Sequence, residues 1–185
     1  MALIRLTNQS LTNITALPFD AGKILQIQYT QFTGTSITTV TSNSDSISFS
    51  DLTVNITPSS TSSIIKLEAQ VYGEWSDQNA ATNSSVFFLR DSTKLGATGG
   101  NNRTLGVAGM FTSYQVVDNG STPEGSAIFQ YFDTPSSTSQ ITYKVGIRTG
   151  SGSNPVFYLN RTVADLDDSS YERFISSISA TEIAG

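Results

Sequence analysis

The feature that most constrains the fold is an alternation of apolar and polar residues with a period of two. It is clearest in the run IIKLEAQVYGEW, where apolar residues alternate with polar ones: Ile65, Leu67, Ala69 and Val71 against Lys66, Glu68 and Gln70. Successive side chains of a β-strand point to opposite faces, whereas a helix repeats every 3.6 residues. The run therefore predicts a strand with one face in a core.

About ten short runs of this kind follow one another, separated by clusters of Ser, Gly, Asn and Pro. They are KILQIQYTQF, TSITTV, ISFSDLTVNI, IIKLEAQVYGEW, SVFFLRD, VAGMFTSYQVV, SAIFQYFD, ITYKVGIRT, VFYLNRT and FISSISATEI. A phase slip at Ser50–Asp51 predicts a β-bulge or a bend, and only ADLDDSSYERF is a candidate helical turn. The pattern indicates an all-β chain, an antiparallel β-sandwich or jelly roll.

The chain is predicted to consist of a short extended N-terminal arm, residues 1–22, and one β-sandwich domain, residues 23–185. The period of two begins only at Lys23, and the apolar residues before it are irregularly spaced. We expect the arm either to pack on its own domain or to contact a neighbouring subunit or larger assembly. Its candidate contact residues are Leu3, Ile4, Leu6, Leu11, Ile14, Leu17 and Phe19.

Composition removes several classes of function. The chain has no Cys and no His, which excludes disulfides, thiolate sites and imidazole general bases. The net charge is −5 and the ten Lys and Arg form no cluster, so nucleic-acid binding is not expected. No apolar run reaches the roughly 18 residues of a membrane span, and the N-terminus lacks the pattern of a signal peptide. We expect a soluble protein without cofactor or metal.

Two acidic groups are candidate chemical sites. Asp165, Asp167 and Asp168 lie close together, but they lack the Gly that a tight calcium loop needs, so a solvated acidic turn is the favoured interpretation. Glu68 and Glu74 would need to face one cleft to hydrolyse a glycoside, and nothing in the sequence places them together. We therefore predict that the protein is not an enzyme.

A candidate recognition site lies where the run ending at Trp75 continues into a polar loop. Aromatic rings beside Asn and Asp side chains hold sugars in many β-sandwich lectins, although a lone Trp at a strand end is more often a rim or core residue. The site would comprise Tyr72, Trp75, Asp77, Asn79 and Asn83, with a host-surface glycan as the possible partner.

The hexapeptide TPSSTS occurs twice, at 57–62 and 134–139, and each copy leads into an alternating run. Pro favours a turn, and Ser and Thr hydroxyls bond nearby backbone groups. The two copies are predicted to be equivalent strand connections in the two halves of the sandwich rather than a shared ligand motif.

Some runs carry large apolar residues on both faces. In IFQYFD, Ile128 and Phe132 lie on the face opposite Phe129 and Tyr131, and VFYLNR is similar. A sandwich strand needs only one apolar face, so the second must be covered by a loop or by another subunit. We favour a subunit, because closed homo-oligomers bury such faces.

The C-terminal run, with TYKV, YLNRT, an Asp/Ser turn with YER, and SSISATEIAG, resembles small virion proteins of tailed phages that infect marine and freshwater bacteria, such as cyanophages. The segments MALIRLTNQSLTN, GKILQ and ITPSSTSSII resemble the same proteins, and 74–126 matches least. The resemblance implies a β-sandwich or jelly-roll structural protein, a homotrimer, made in the bacterial cytoplasm and incorporated into the virion.

Two roles within this family are open. One is a cement (decoration) protein on the outer capsid surface that reinforces contacts between major capsid subunits. The other is the distal receptor- or glycan-binding head of a tail fibre or tailspike. A fibre protein normally carries a shaft before its head, and here only about 22 residues precede the first strand. We therefore expect a cement protein that binds the major capsid protein.

Overall fold

The computed structural model describes residues 22–99, 103–110, 125–150 and 153–185. These residues form ten strands and one short helix. The elements are β1 (Ile24–Phe32), β2 (Ser36–Thr39), β3 (Ser48–Ile56), β4 (Ile64–Trp75), α1 (Gln78–Thr82), β5 (Ser84–Arg90), β6 (Thr93–Leu95), β7 (Gly125–Asp133), β8 (Ile141–Thr149), β9 (Val156–Leu159) and β10 (Ser176–Ile183). No helix within the described ranges is long and apolar enough to cross a membrane.

The strands form two antiparallel sheets, which confirms the predicted all-β sandwich. Sheet A contains β1, β10, β4, β9, β2 and β7, and sheet B has the order β3-β8-β5-β6. Apolar side chains from the two inner faces meet in one core, where Phe88 of sheet B contacts Phe129 of sheet A at 4.8 Å between ring centroids. This burial is the main favourable contribution to folding.

Sheet A is organised around β4, which pairs with β7 along one edge and with β10 and then β9 along the other. β9 and β10 follow each other along β4, and they pair in turn with β2 and β1. Residues 160–175 leave the sheet between β9 and β10. Sheet A is therefore interrupted in two neighbouring strand positions. Beside β4, β10 gives way to β9, and in the next position, at the same height in the sheet, β1 gives way to β2.

The side chain of Asn160 forms hydrogen bonds with groups on both sides of this interruption. Its side-chain amide donates to the carbonyl oxygens of Phe32 and Gly34, at 2.9 and 2.8 Å, and its Oδ1 accepts from the Ser176 hydroxyl at 2.6 Å. Its backbone N–H donates to the Tyr72 carbonyl. The residue is fully buried with φ 63°, a left-handed conformation that Asn tolerates better than most residues. Asn160 thus replaces the ladder bonds that the break removes.

Both copies of TPSSTS connect the two sheets. Residues 57–63 join β3 to β4, and 134–140 join β7 to β8. The two connections lie at the same end of the sandwich, because Ile56 pairs with Ile141 and Ile65 pairs with Asp133. Their conformations differ, since Ser136 has φ 52° while none of residues 57–62 has a positive φ.

A buried carboxylate stands beside the second connection. Asp133 accepts hydrogen bonds from the Arg90 guanidinium at 3.0 Å and from the Tyr143 hydroxyl at 2.6 Å. Burial, together with the neighbouring Asp133, raises the pKa of Tyr143, so its hydroxyl remains a donor at any physiological pH.

Two details differ from the predictions, the helix and strand β6. Residues 164–174 do not form a helical turn, and the short helix is α1, which begins after Asp77, whose side chain accepts from the N–H of Ala80 at 2.9 Å. β6 was not expected. The run VAGMFTSYQVV lies partly outside the described residues. The predicted phase slip in β3 is present as a register shift between Ser48 and Thr53.

We expect Asn160→Ala to lower the free energy of unfolding by about 3 kcal/mol, because buried carbonyls and the Ser176 hydroxyl lose their partner. Asn160→Gly should be about 1 kcal/mol more stable than Asn160→Ala, since glycine adopts the left-handed conformation without strain. Urea unfolding followed by the fluorescence of Trp75, the only Trp in the chain, measures both. Equal stability of the two variants would contradict the strain argument.

Candidate interaction surface

Sheet A has an outer face that divides into two halves. The half over β9 and the end of β4 is covered by residues 160–175. Val163 donates its backbone N–H to Glu74 Oε2 at 2.6 Å, and Phe174 lies against Tyr72 with 5.3 Å between ring centroids. On β9, Tyr158 of the second apolar face lies under the Arg161 guanidinium, 5.1 Å from the centre of its ring, so the same loop partly covers this face.

The other half, which we call the open face, consists of three rows of residues that run across β1, β10, β4 and β7. The strand registers define the rows as Ile27–Thr181–Lys66–Phe132, Tyr29–Ser179–Glu68–Gln130 and Gln31–Ser177–Gln70–Ile128. A further row, Ile24–Ile183–Ile64, adjoins the first at the end of the sheet. Neighbouring strands lie about 4.8 Å apart, so each four-residue row is about 14 Å wide.

The open face has apolar edges and a polar middle. At the edges, Tyr29 is 75% exposed, Ile128 77%, Ile27 56% and Phe132 54%. Along the centre, β10 contributes only small hydroxyl side chains. A shallow depression of about 140 Å³ lies between them, lined by Glu68, Ala69, Gln70, Ile128, Ser177 and Ser179. Exposed large apolar residues grouped on one face are typical of a protein–protein contact.

The charges on the open face compensate each other. Lys66 Nζ lies 2.8 Å from Glu68 Oε1, and both side chains remain accessible. An exposed pair of this kind contributes little to stability. The face therefore offers a neutral surface, which suits an uncharged partner.

The apolar side of β1 points outward because its polar side is needed inside. Gln26 lies opposite Glu182 in the register and donates to Glu182 Oε2 at 2.6 Å. Glu182 Oε1 accepts from the Ser59 N–H and hydroxyl and from the Ser63 hydroxyl, each at 2.7 Å. With Gln26 turned toward Glu182, Ile27 and Tyr29 must lie on the outer face.

The hydrogen bonds to Glu182 determine its ionisation. Burial by itself would raise the pKa of Glu182, but the donors on Gln26, Ser63 and Ser59 outweigh burial and hold the pKa at about 2. The carboxylate is therefore charged in the folded protein throughout the physiological range. It joins β10, β1 and the first TPSSTS connection.

The five residues of the predicted recognition site do not form one surface. Trp75 is fully buried, with its ring 5.3 Å from that of Phe157, so it presents no ring to a sugar. Asp77 caps α1 and Asn83 ends it, where the Asn83 side chain donates to the Asn79 carbonyl. Tyr72 lies on the opposite side of β4 from Trp75, against the covering loop.

Two carboxylates of the acidic turn, those of Asp165 and Asp168, accept hydrogen bonds from residues of the same turn. Asp165 accepts from the Arg173 guanidinium at 2.8 and 2.9 Å and also lies 3.4 Å from Arg161. The hydrogen bond from Arg173 lowers the pKa of Asp165, and that from Ser170 lowers the pKa of Asp168. No group of three or more possible metal ligands occurs within the described part of the chain.

Glu68 and Glu74 do not face one cleft. Both lie on the outer side of β4, six residues apart, which corresponds to about 20 Å along a strand. That separation exceeds the roughly 5–10 Å between the two carboxyl groups of a glycosidase. Glu74 is buried under residues 160–175, whereas Glu68 is exposed on the open face.

The seven candidate contact residues of the arm lie outside the described residues.

Ile128 and Phe132, which the sequence identified through their apolar second face, are at one edge of the open face. Ile27 and Tyr29 at the other edge were not singled out as a contact, because they alternate with Gln26, Gln28 and Thr30 and such alternation predicts that the apolar side faces the core. No protein-family model matches this chain, and no curated protein matches it.

We expect the stability contributed by Glu182 to depend on pH. Its folded pKa of about 2 is below the ordinary value of 4.5, so the contribution is complete above pH 4.5 and is lost as the pH falls toward 2. The shift corresponds to about 3 kcal/mol. Glu182→Gln should lower the free energy of unfolding at pH 7 by about 2 kcal/mol or more, and the difference from the unmodified protein should shrink below pH 4.5.

Urea unfolding at a series of pH values measures this difference. Glu68→Gln is the matched control, because Glu68 is exposed and its replacement should change stability by less than about 0.5 kcal/mol. A constant difference between Glu182→Gln and the unmodified protein from pH 7 to pH 2 would show that Glu182 is not held in its charged form.

Proposed function

We propose that this protein is a structural subunit of a tailed-phage virion, a homotrimeric cement protein on the outer capsid surface that reinforces contacts between major capsid subunits. The observation that carries the proposal is the open face, whose apolar edges need a protein partner. The phage and the trimeric state come from the resemblance of the C-terminal and N-terminal sequence motifs to virion proteins.

The energetics favour assembly through the open face. Full burial of an Ile or Phe side chain contributes about 2 kcal/mol, and about two thirds of that remains available because these side chains are 54–77% exposed, so the four apolar residues at the edges could together contribute about 5 kcal/mol before the cost of association. They are Ile27, Tyr29, Ile128 and Phe132. Repetition of such contacts over a shell would make the total stabilisation large even if each contact is modest.

The composition of the surface also suits a reinforcing role. The open face is neutral because its two charges pair, so binding there should depend only weakly on salt. The alternative of a glycan-binding head has less support, because Trp75, the ring on which it depended, is buried.

The double substitution Ile128→Ser with Phe132→Ser should weaken self-association or capsid binding by about tenfold or more, since the loss of two buried apolar side chains exceeds 1.4 kcal/mol. Folding should be almost unaffected, because both residues are more than half exposed. Sedimentation and capsid co-pelleting measure binding, and urea unfolding measures folding.

Leu166→Ser is the matched control, because Leu166 is 57% exposed but belongs to the covering loop. It should leave binding unchanged. Equal binding by the double variant and the control would refute the assignment of the open face as the contact.

Copy number distinguishes a cement protein from a fibre. Quantitative mass spectrometry of purified virions should find hundreds of copies per particle, as expected for a protein that repeats over the shell. A handful of copies would support the tail-fibre alternative, and absence from virions would overturn the proposal altogether.

Removal of the arm tests its part in assembly. A variant that lacks residues 1–18 should retain the sandwich, because β1 begins only at Ile24, but should occupy fewer sites on capsids. Occupancy is measured by densitometry of co-pelleted protein. Full occupancy without residues 1–18 would eliminate the arm as a contact.

A further inference from the structure

We infer that the open face of one copy binds the N-terminal arm, residues 1–21, of a neighbouring copy. The inference deepens the proposed function and rests on it, because an arm can be exchanged only between copies that assemble.

The size of the open face favours an extended segment over a rigid body. The face is about 14 Å wide and, when the adjoining row Ile24–Ile183–Ile64 is counted with its three rows, about 20 Å long, since successive rows lie about 6.8 Å apart. Its projected area is thus about 300 Å². A rigid partner that buries the roughly 800 Å² of accessible surface typical of a stable interface would have to extend beyond this face. Six or seven residues of extended chain would fill its length.

The shape and chemistry of the face fit the arm. Large apolar side chains on β1 and β7 stand at the two edges of the face, with the small hydroxyls of β10 and the longer polar side chains of β4 between them. The depression lies over β10, β4 and the adjoining Ile128 of β7. The arm contains one cation, Arg5, and one anion, Asp20, and it is otherwise uncharged. Its polar residues are Thr, Asn, Gln and Ser, which can bond with Ser177, Ser179 and the neighbouring Gln side chains. Its large apolar residues can pack against the borders.

The point at which the arm joins sheet A, at Gly22, allows the arm to reach another copy. The N–H of Gly22 donates to the Ala184 carbonyl at 2.7 Å, and Lys23 continues the ladder, so the chain is still in the plane of sheet A at its edge. An extended segment of 21 residues spans up to about 70 Å, several times the length of the face. The apolar row Ile24–Ile183–Ile64 lies beside this exit and extends the face at that end of the sheet.

Cysteine cross-linking in the full-length chain tests the inference directly, because the natural sequence has no Cys. Four arm variants (Ile4→Cys, Leu6→Cys, Leu11→Cys and Ile14→Cys) are each mixed with a face variant, Ser179→Cys, and oxidised with copper phenanthroline. The matched control is Ser50→Cys, an exposed serine of sheet B. Light scattering of the same mixtures gives the oligomeric state before oxidation.

The expected result is a heterodimer on non-reducing gels between at least one arm variant and Ser179→Cys, at about ten times the yield with Ser50→Cys, because binding raises the effective concentration of the two thiols. Oligomers that give no preferential heterodimer would overturn the arm inference and leave the proposed function standing. A monomer at every concentration would overturn both.

A double variant, Leu6→Cys with Ser179→Cys, identifies the copy that supplies the arm. A disulfide that forms only within one chain, seen as a monomer of altered mobility whose yield does not depend on concentration, would show that each arm covers its own face and would overturn the inference.

Discussion

The Glu182 carboxylate is the interaction on which the arrangement of sheet A depends. A buried charge is tolerated only when donors surround it, and here the donors come from two parts of the chain: Gln26 of β1, and Ser59 and Ser63 of the connection 57–63. Gln26 can serve only if the polar side of β1 turns inward. The same bond therefore places Ile27 and Tyr29 on the outer face, so a requirement of the interior determines the chemistry of the exterior.

The extent of the open face is set by a second polar residue. Asn160 ends β9 and turns the chain out of the sheet, and residues 160–175 then cover the adjoining half of the outer face. Without that excursion, β9 and β10 could form one continuous strand along β4. The boundary between the covered and open halves thus follows from a left-handed asparagine whose hydrogen bonds are all internal.

The strands and the sandwich could be predicted because side-chain alternation is a local property of the sequence. The orientation of β1 could not, since its partner Glu182 is 156 positions away in sequence. The burial of Trp75 likewise depends on Phe157, which reaches it only after β9 joins the sheet. In the acidic turn, Asp167 and Asp168 are exposed, in line with the predicted solvated turn. Asp165 pairs with Arg161 and Arg173, an arrangement that periodicity does not encode. On the open face, the apolar residues of β7 could be identified from the sequence as a second apolar face, whereas those of β1 could not.

The interruption of sheet A has a mechanical consequence. At the level of Asn160, β4 continues through sheet A, while β1 gives way to β2 and β10 to β9, and the described part of β7 begins at Gly125, opposite Gly73. Among the described residues, the two parts of sheet A are joined by the β4 backbone, by the side-chain hydrogen bonds of Asn160 and by the bond from the Tyr72 N–H to the Ser176 hydroxyl. A load applied to the open face would therefore reach the rest of sheet A along β4, and the rest of the molecule through the core that packs sheet A on sheet B.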